Sequence, residues 1–218
     1  MIKNTFFTLL MFCLLTLTAQ VKAANSILLL GDSLSASYGM QQNQGWVSLL
    51  NQELSEENAP FLITNASISG ETTAGGLSRL PGILSKEKID YLLIELGGND
   101  GLRGFPPKLI KNNLLQIIQL AKAKNIPVAI MNIRIPPNYG PRYNQLFTDT
   151  FAQVAKEENI PLLQFFMEDI ATNPDLMQAD GIHPNKAAQP LIVELMHKQL
   201  KALLSNEKVA NTGKLSTN

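Results

Sequence analysis

The sequence predicts a three-layer α/β/α domain on a five-stranded parallel sheet, and two observations carry that expectation. Five short apolar runs recur along the chain, and longer amphipathic segments separate them. A brief continuous apolar run reads as a strand buried on both faces. Strict alternation of strand and helix implies right-handed crossovers and a parallel sheet covered by helices on both sides.

The elements follow in order. Ile27-Leu28-Leu29-Leu30 is the first predicted strand, with a helix near 45–57 after it. Phe61-Leu62-Ile63 and a helix near 73–85 come next, then Tyr91-Leu92-Leu93-Ile94. In the segment 108–124, Leu109, Ile110, Leu114, Ile117, Ile118 and Ala121 recur at helical spacing, with Lys, Asn and Gln mostly on the other face. Val128-Ala129-Ile130-Met131 with a helix near 142–158, and Leu162-Leu163 with a helix near 185–204, complete the series.

The chain ends read differently. Lys3 gives a positive start, Phe6 to Leu17 form an apolar stretch too short for a membrane span, and Val21-Lys22-Ala23 is a small-residue cleavage pattern. Residues 1–23 are therefore expected to be a signal peptide that directs the chain out of the cytoplasm, to the periplasm or beyond. The single cysteine, Cys13, falls inside it, so the mature chain is expected to rely on its core and not on disulfides. Residues 24–205 form one expected domain, long enough to bury on the order of 70% of its unfolded surface, and 206–218 a polar tail.

Composition excludes some classes of function. Without Lys3 and Lys22 the 18 basic side chains fall to 16 against 18 acidic ones, and no basic run carries interleaved aromatics, so nucleic acid is not an expected partner. No second long apolar segment anchors the mature chain in a bilayer, and no uncovered apolar stripe asks for a partner, so a monomer is expected. There is no Gly-rich dinucleotide or phosphate loop, no pair of histidines at metal-ligand spacing and no G-x-S-x-G elbow. No cofactor or metal is expected.

In open parallel sheets, ligands bind beyond the carboxyl ends of the strands. On that edge lie Gly31-Asp32-Ser33-Leu34-Ser35 after the first strand, Asn65-Ala66-Ser67-Ile68-Ser69-Gly70 after the second and Gly97-Gly98-Asn99-Asp100 after the third. Asp180-Gly181-Ile182-His183-Pro184, before the last helix, can reach the same edge. Serine needs a base within hydrogen-bond reach and a third group to orient that base. His183, one of two histidines, supplies the base, and Asp180 can fold back across Gly181 to hold its Nδ1 proton. Ser33 is then the nucleophile. Charge developing on the attacked oxygen needs fixed donors, for which the N–H groups of Ser33 and Gly70 and the Asn99 amide are the candidates. Taken singly, Ser33 reads as a helix cap, Asp32 as a cap or turn former, Gly70 as a turn glycine and Asp180 as a loop carboxylate. The set of four loops on one edge argues for chemistry. His197 lies on the last amphipathic helix with no evident partner and reads as structural.

These blocks, spread over essentially the whole mature chain, resemble the SGNH or GDSL hydrolase family, with Ser33, Gly70, Asn99 and His183 at its four namesake positions. Glu95-Leu96-Gly97-Gly98-Asn99-Asp100-Gly101-Leu102-Arg103-Gly104 and Asp180 to Asn185 look like its bacterial thioesterase, lysophospholipase and arylesterase branch. The resemblance implies a flavodoxin-like sheet of order 2-1-3-4-5, no cofactor, and hydrolysis of acyl esters, fatty acyl thioesters and lysophospholipids. It also implies that the loop Gly101 to Pro106, with Leu102, moves when an acyl chain binds, and that Ile133, Arg134, Ile135 and Tyr139 line the acyl site. Two other readings stay open at this point: a carbohydrate O-deacetylase on the same scaffold, and a lipid-binding protein without turnover.

Overall fold

The computed structural model describes residues 25–215, with side chains through Ser205. The expected signal peptide, with Cys13 and the cleavage site after Ala23, lies outside the described residues.

The strands are β1 (Asn25–Gly31), β2 (Phe61–Asn65), β3 (Tyr91–Glu95), β4 (Val128–Met131) and β5 (Leu162–Leu163). All pair in parallel, in the order β2-β1-β3-β4-β5 expected from the resemblance. The reason is apolar content: Ile27 to Leu30 and Leu92 to Ile94 have no exposed surface, so these segments are stable only where helices cover both faces. Truncating any one of these leucines to alanine is expected to cost about 2–5 kcal/mol.

The helices are α1 (Trp46–Glu56), α2 (Thr73–Lys86), α3 (Gly98–Leu102), α4 (Pro107–Lys122), α5 (Pro141–Glu158) and α6 (Gln189–Leu215). From β1 the chain steps one way to β2, then back across β1 to β3 and onward to β4 and β5. Because such crossovers are right-handed, the reversal puts α1 on one face and α2, α4 and α5 on the other. The packing agrees: α1 lies against α6, α2 against α4 and α4 against α5. The reversal also opens a crevice between the loops that leave β1 and β3.

α6 departs from expectation at both ends. It starts at Gln189 and not near 185, because the Asn185 side chain accepts the N–H groups of Ala187 and Ala188 and opens a 3₁₀ turn, Lys186–Ala188, first. It continues to Leu215, past the expected end at 204 and through part of the expected tail, since no proline interrupts it. Its first residue is tied into the fold: the buried Gln189 side chain accepts the Trp46 N–H at the start of α1, at 2.9 Å.

Candidate active site

The chain that leaves β1 turns at Asp32 and Ser33. Gly31 is required there, because a Cβ would stand 2.6 Å from both the Glu95 carboxylate and the Ser67 hydroxyl. The Asp32 Oδ1 accepts the Leu34 N–H at 3.0 Å, which is the turn-forming role expected of it. Its Oδ2 does something the sequence reading did not anticipate, accepting the Asn99 side-chain N–H at 3.1 Å. Asn65 couples the neighbouring loop to this turn by donating to the Ser35 carbonyl at 2.8 Å.

His183 arrives from the far end of the chain. Its Nε2 is 2.9 Å from the Ser33 Oγ, and its Nδ1 is 2.7 Å from the Asp180 Oδ2. Asp180 also accepts the backbone N–H groups of Ile182 and His183 through Oδ1, at 2.9 and 3.0 Å, so the loop wraps around this carboxylate. Desolvation pushes the Asp180 carboxyl up. The two backbone donors and the His183 ring outweigh that and bring it down to about 2. A carboxylate fixed in the ionised form takes the Nδ1–H, which leaves Nε2 to accept the Ser33 proton.

Gly70 sits at φ +78°, a left-handed conformation that glycine adopts at little cost. Its loop is braced by Arg79, which donates to the Ala66 carbonyl and pairs with Glu71, and by Arg103, which donates to the Gly70 carbonyl at 3.2 Å. Among the described residues neither the Ser33 N–H nor the Gly70 N–H has a hydrogen-bond acceptor. Asn99 lies in the first turn of α3, which is anchored from below. The buried Asp100 carboxylate accepts the Thr73 N–H at 2.8 Å and its hydroxyl at 2.6 Å, and Asn113 donates to the same hydroxyl at 3.0 Å.

Behind Ser33 two buried acids lie close together. Glu95 accepts the Asp32 N–H at 3.2 Å and the Ser35 hydroxyl at 2.8 Å. Burial and the nearby Asp32 charge push its carboxyl well above the usual range. Burial pushes Asp32 up to about 6, against the opposing pull of the Leu34 N–H, His183 and Asn99.

A cavity of about 480 Å³ opens beside Ser33 and His183. Of the residues the resemblance implied for the acyl site, Leu102, Ile133, Arg134 and Ile135 line it. Arg134 carries an ion pair to Glu168 at 2.6 Å across the wall. Two implied residues do not line it. Gly101 is buried in α3, and a Cβ there would meet Phe147 at 2.6 Å and Ile135 at 2.7 Å, so the glycine serves close packing. The Tyr139 hydroxyl donates to the Leu102 carbonyl at 2.8 Å, bracing the turn after α3. Sequence reasoning missed most of the opposite wall, including Phe165, Met167, Ala171, Thr172, Met177 and Ile182. His197 lies away from the cavity, on α6 near Glu53 and Glu57 of the α1 region. No cluster of candidate metal ligands occurs among the described residues.

Known proteins resemble this chain in sequence and in fold. The chain is 47% identical over 197 residues to the esterase TesA of Pseudomonas aeruginosa, covering 90% of this chain and 98% of that one. It is 47% identical over 194 residues to the thioesterase 1/protease 1/lysophospholipase L1 of Escherichia coli, covering 89% and 92%. Among solved structures, a psychrotrophic esterase EstA from Pseudoalteromonas sp., inhibited by monoethylphosphonate, superposes with a TM-score of 0.82 at 50% identity, covering 83% of this chain and 99% of that one. With the model of the GDSL-like lipase/acylhydrolase family matching residues 29–190, this chain belongs to that family.

Proposed function

We propose that the chain is an exported, monomeric serine hydrolase of acyl esters and thioesters, working through an acyl-enzyme on Ser33. The observation that carries the reading is the unbroken line from Asp180 through His183 to Ser33, at 2.7 and 2.9 Å, beside an apolar cavity. His183 takes the Ser33 proton as Oγ attacks the acyl carbonyl. The tetrahedral oxyanion is held by the Ser33 N–H, the Gly70 N–H and the Asn99 amide. His183 then protonates the departing alcohol or thiol, and water, deprotonated by the same ring, releases the acid. Each proton taken in acylation is returned in the next step.

The relatives' names, esterase and thioesterase/lysophospholipase, support an acyl group with varied leaving groups. The apolar wall of Ile133, Ile135, Phe165, Met167 and Met177 supports a medium or long acyl chain, because each buried methylene contributes roughly 0.8 kcal/mol.

The test is hydrolysis of p-nitrophenyl esters from acetyl to palmitoyl by the mature protein beside Ser33→Ala and His183→Ala. We expect cleavage of medium and long chains, with both variants down by on the order of 10⁴-fold. Cleavage of acetyl ester alone would favour a deacetylase, and variants equal to the parent would move the active site elsewhere. N-terminal sequencing of the exported protein tests cleavage near Ala23.

A further inference from the structure

Tyr38 belongs to no strand or helix and lies outside the motif blocks, yet its ring stacks on that of His183, with centroids 4.2 Å apart and planes 30° from parallel. The stack is held by backbone on both sides. Gln178 Nε2 donates to the Tyr38 carbonyl at 2.8 Å and to the Pro184 carbonyl at 3.1 Å, while the Gln178 N–H donates to the His183 carbonyl at 2.8 Å. One glutamine thus fastens the loop carrying Tyr38 to the loop carrying His183. Gly39 accommodates it: the residue sits at φ +72°, and a Cβ would fall 2.3 Å from the Gln178 Oε1. Tyr38 is 47% exposed, so burial of the phenol ring does not account for this fastening.

An aromatic face attracts a cation more strongly than a neutral ring. When His183 takes the Ser33 proton its ring gains a positive charge, so a ring stacked on it favours the transition state over the ground state. We propose that Tyr38 is a positioning residue for the base, holding the His183 ring between Ser33 and Asp180 and favouring its imidazolium form as the proton moves. This rests on the reading of Ser33 and His183 given above.

The test replaces Tyr38 in the full chain by Phe, by Leu and by phenylalanines carrying one, two and three ring fluorines, which keep the shape while weakening the negative ring face. kcat and KM are measured on p-nitrophenyl butyrate, with Ser33→Ala in the same assay. Tyr38→Phe should stay within about twofold of the parent, and Tyr38→Leu should lose roughly two- to tenfold in kcat with KM unchanged. The fluorinated series should lose kcat stepwise with fluorine number. Fluorinated variants equal to Tyr38→Phe, or Tyr38→Leu equal to the parent, would overturn the proposal, as would a change confined to KM. If Tyr38→Leu does not fold, the fluorinated series decides alone. Failure of the underlying reading shows separately, as Ser33→Ala retaining full turnover.

Discussion

The Asp32 carboxylate accepts a hydrogen bond from the Asn99 side-chain nitrogen at 3.1 Å, so the residue that turns the chain at Ser33 also holds the Asn99 amide with its nitrogen toward that turn. An amide presented nitrogen-first donates to an oxyanion, and one presented oxygen-first repels it.

Asp32→Asn is therefore expected to lower kcat on the order of 10²–10³-fold, because its own NH₂ would face that of Asn99 and turn the donor away. Stability should move the other way. The Asp32 carboxyl is raised from 3.8 to about 6 in the folded protein, so its contribution is fully present below about 4 and is lost as pH rises through about 6. The uncharged variant should melt above the parent at pH 7, with the difference closing between about pH 6 and 4. Calorimetry across that range, beside steady-state kinetics, checks both halves.

Asp180 carries the opposite sign. Its carboxyl is lowered from 3.8 to about 2, so the stability it contributes is present above about pH 4 and is lost as pH falls through about 2. Asp180→Asn should cost about 10⁴-fold in kcat by leaving the His183 ring in the wrong tautomer. A Tm deficit seen at pH 7 should shrink between about pH 4 and 2, and a deficit independent of pH would contradict the assignment.

Two glycines of the Gly101–Pro106 segment should respond differently to alanine. Gly101→Ala drives a methyl group into Phe147 and Ile135 and is expected to cost about 1–3 kcal/mol. At Gly104 nothing lies within 4 Å of the new Cβ, so only the φ of +68° opposes it, at roughly 1–2 kcal/mol. Urea denaturation of both variants checks the ranking and the sizes.

Gln189→Leu removes the buried acceptor of the Trp46 N–H, and leaving that donor unpaired should cost about 1–3 kcal/mol. Since the bond joins the starts of α1 and α6 across the chain, guanidinium unfolding of Gln189→Leu should show a lower midpoint with an unchanged slope.

The fold was legible because its strands are short apolar runs that only a covered sheet can bury, and Ser33, Gly70, Asn99 and His183 were legible because each sits in a polar block after a strand or before a helix. The far cavity wall was not. Met167, Ala171, Thr172 and Met177 lie between a two-residue strand and the last helix, in a stretch without period 2 or 3.6, so nothing in their spacing shows which way they face. The packing role of Gly101 was not legible, because a glycine that yields space to Phe147 looks the same in sequence as one that lets a loop bend. Asp32 was read only as a turn former because its bond to Asn99 spans 67 residues, and local patterns carry no information at that range.

The proposed nucleophile and its base are rooted very differently. Ser33 directly follows β1, which is paired on both sides, whereas Asp180 and His183 share a short segment held by the Met177–Pro184 bridge and the bonds of Gln178. Acid and base therefore travel together, and a sub-global opening of this one segment would switch the enzyme off while the sheet stays intact. On warming, turnover should fade at temperatures where calorimetry still records a folded domain, and should return on cooling without any need to refold.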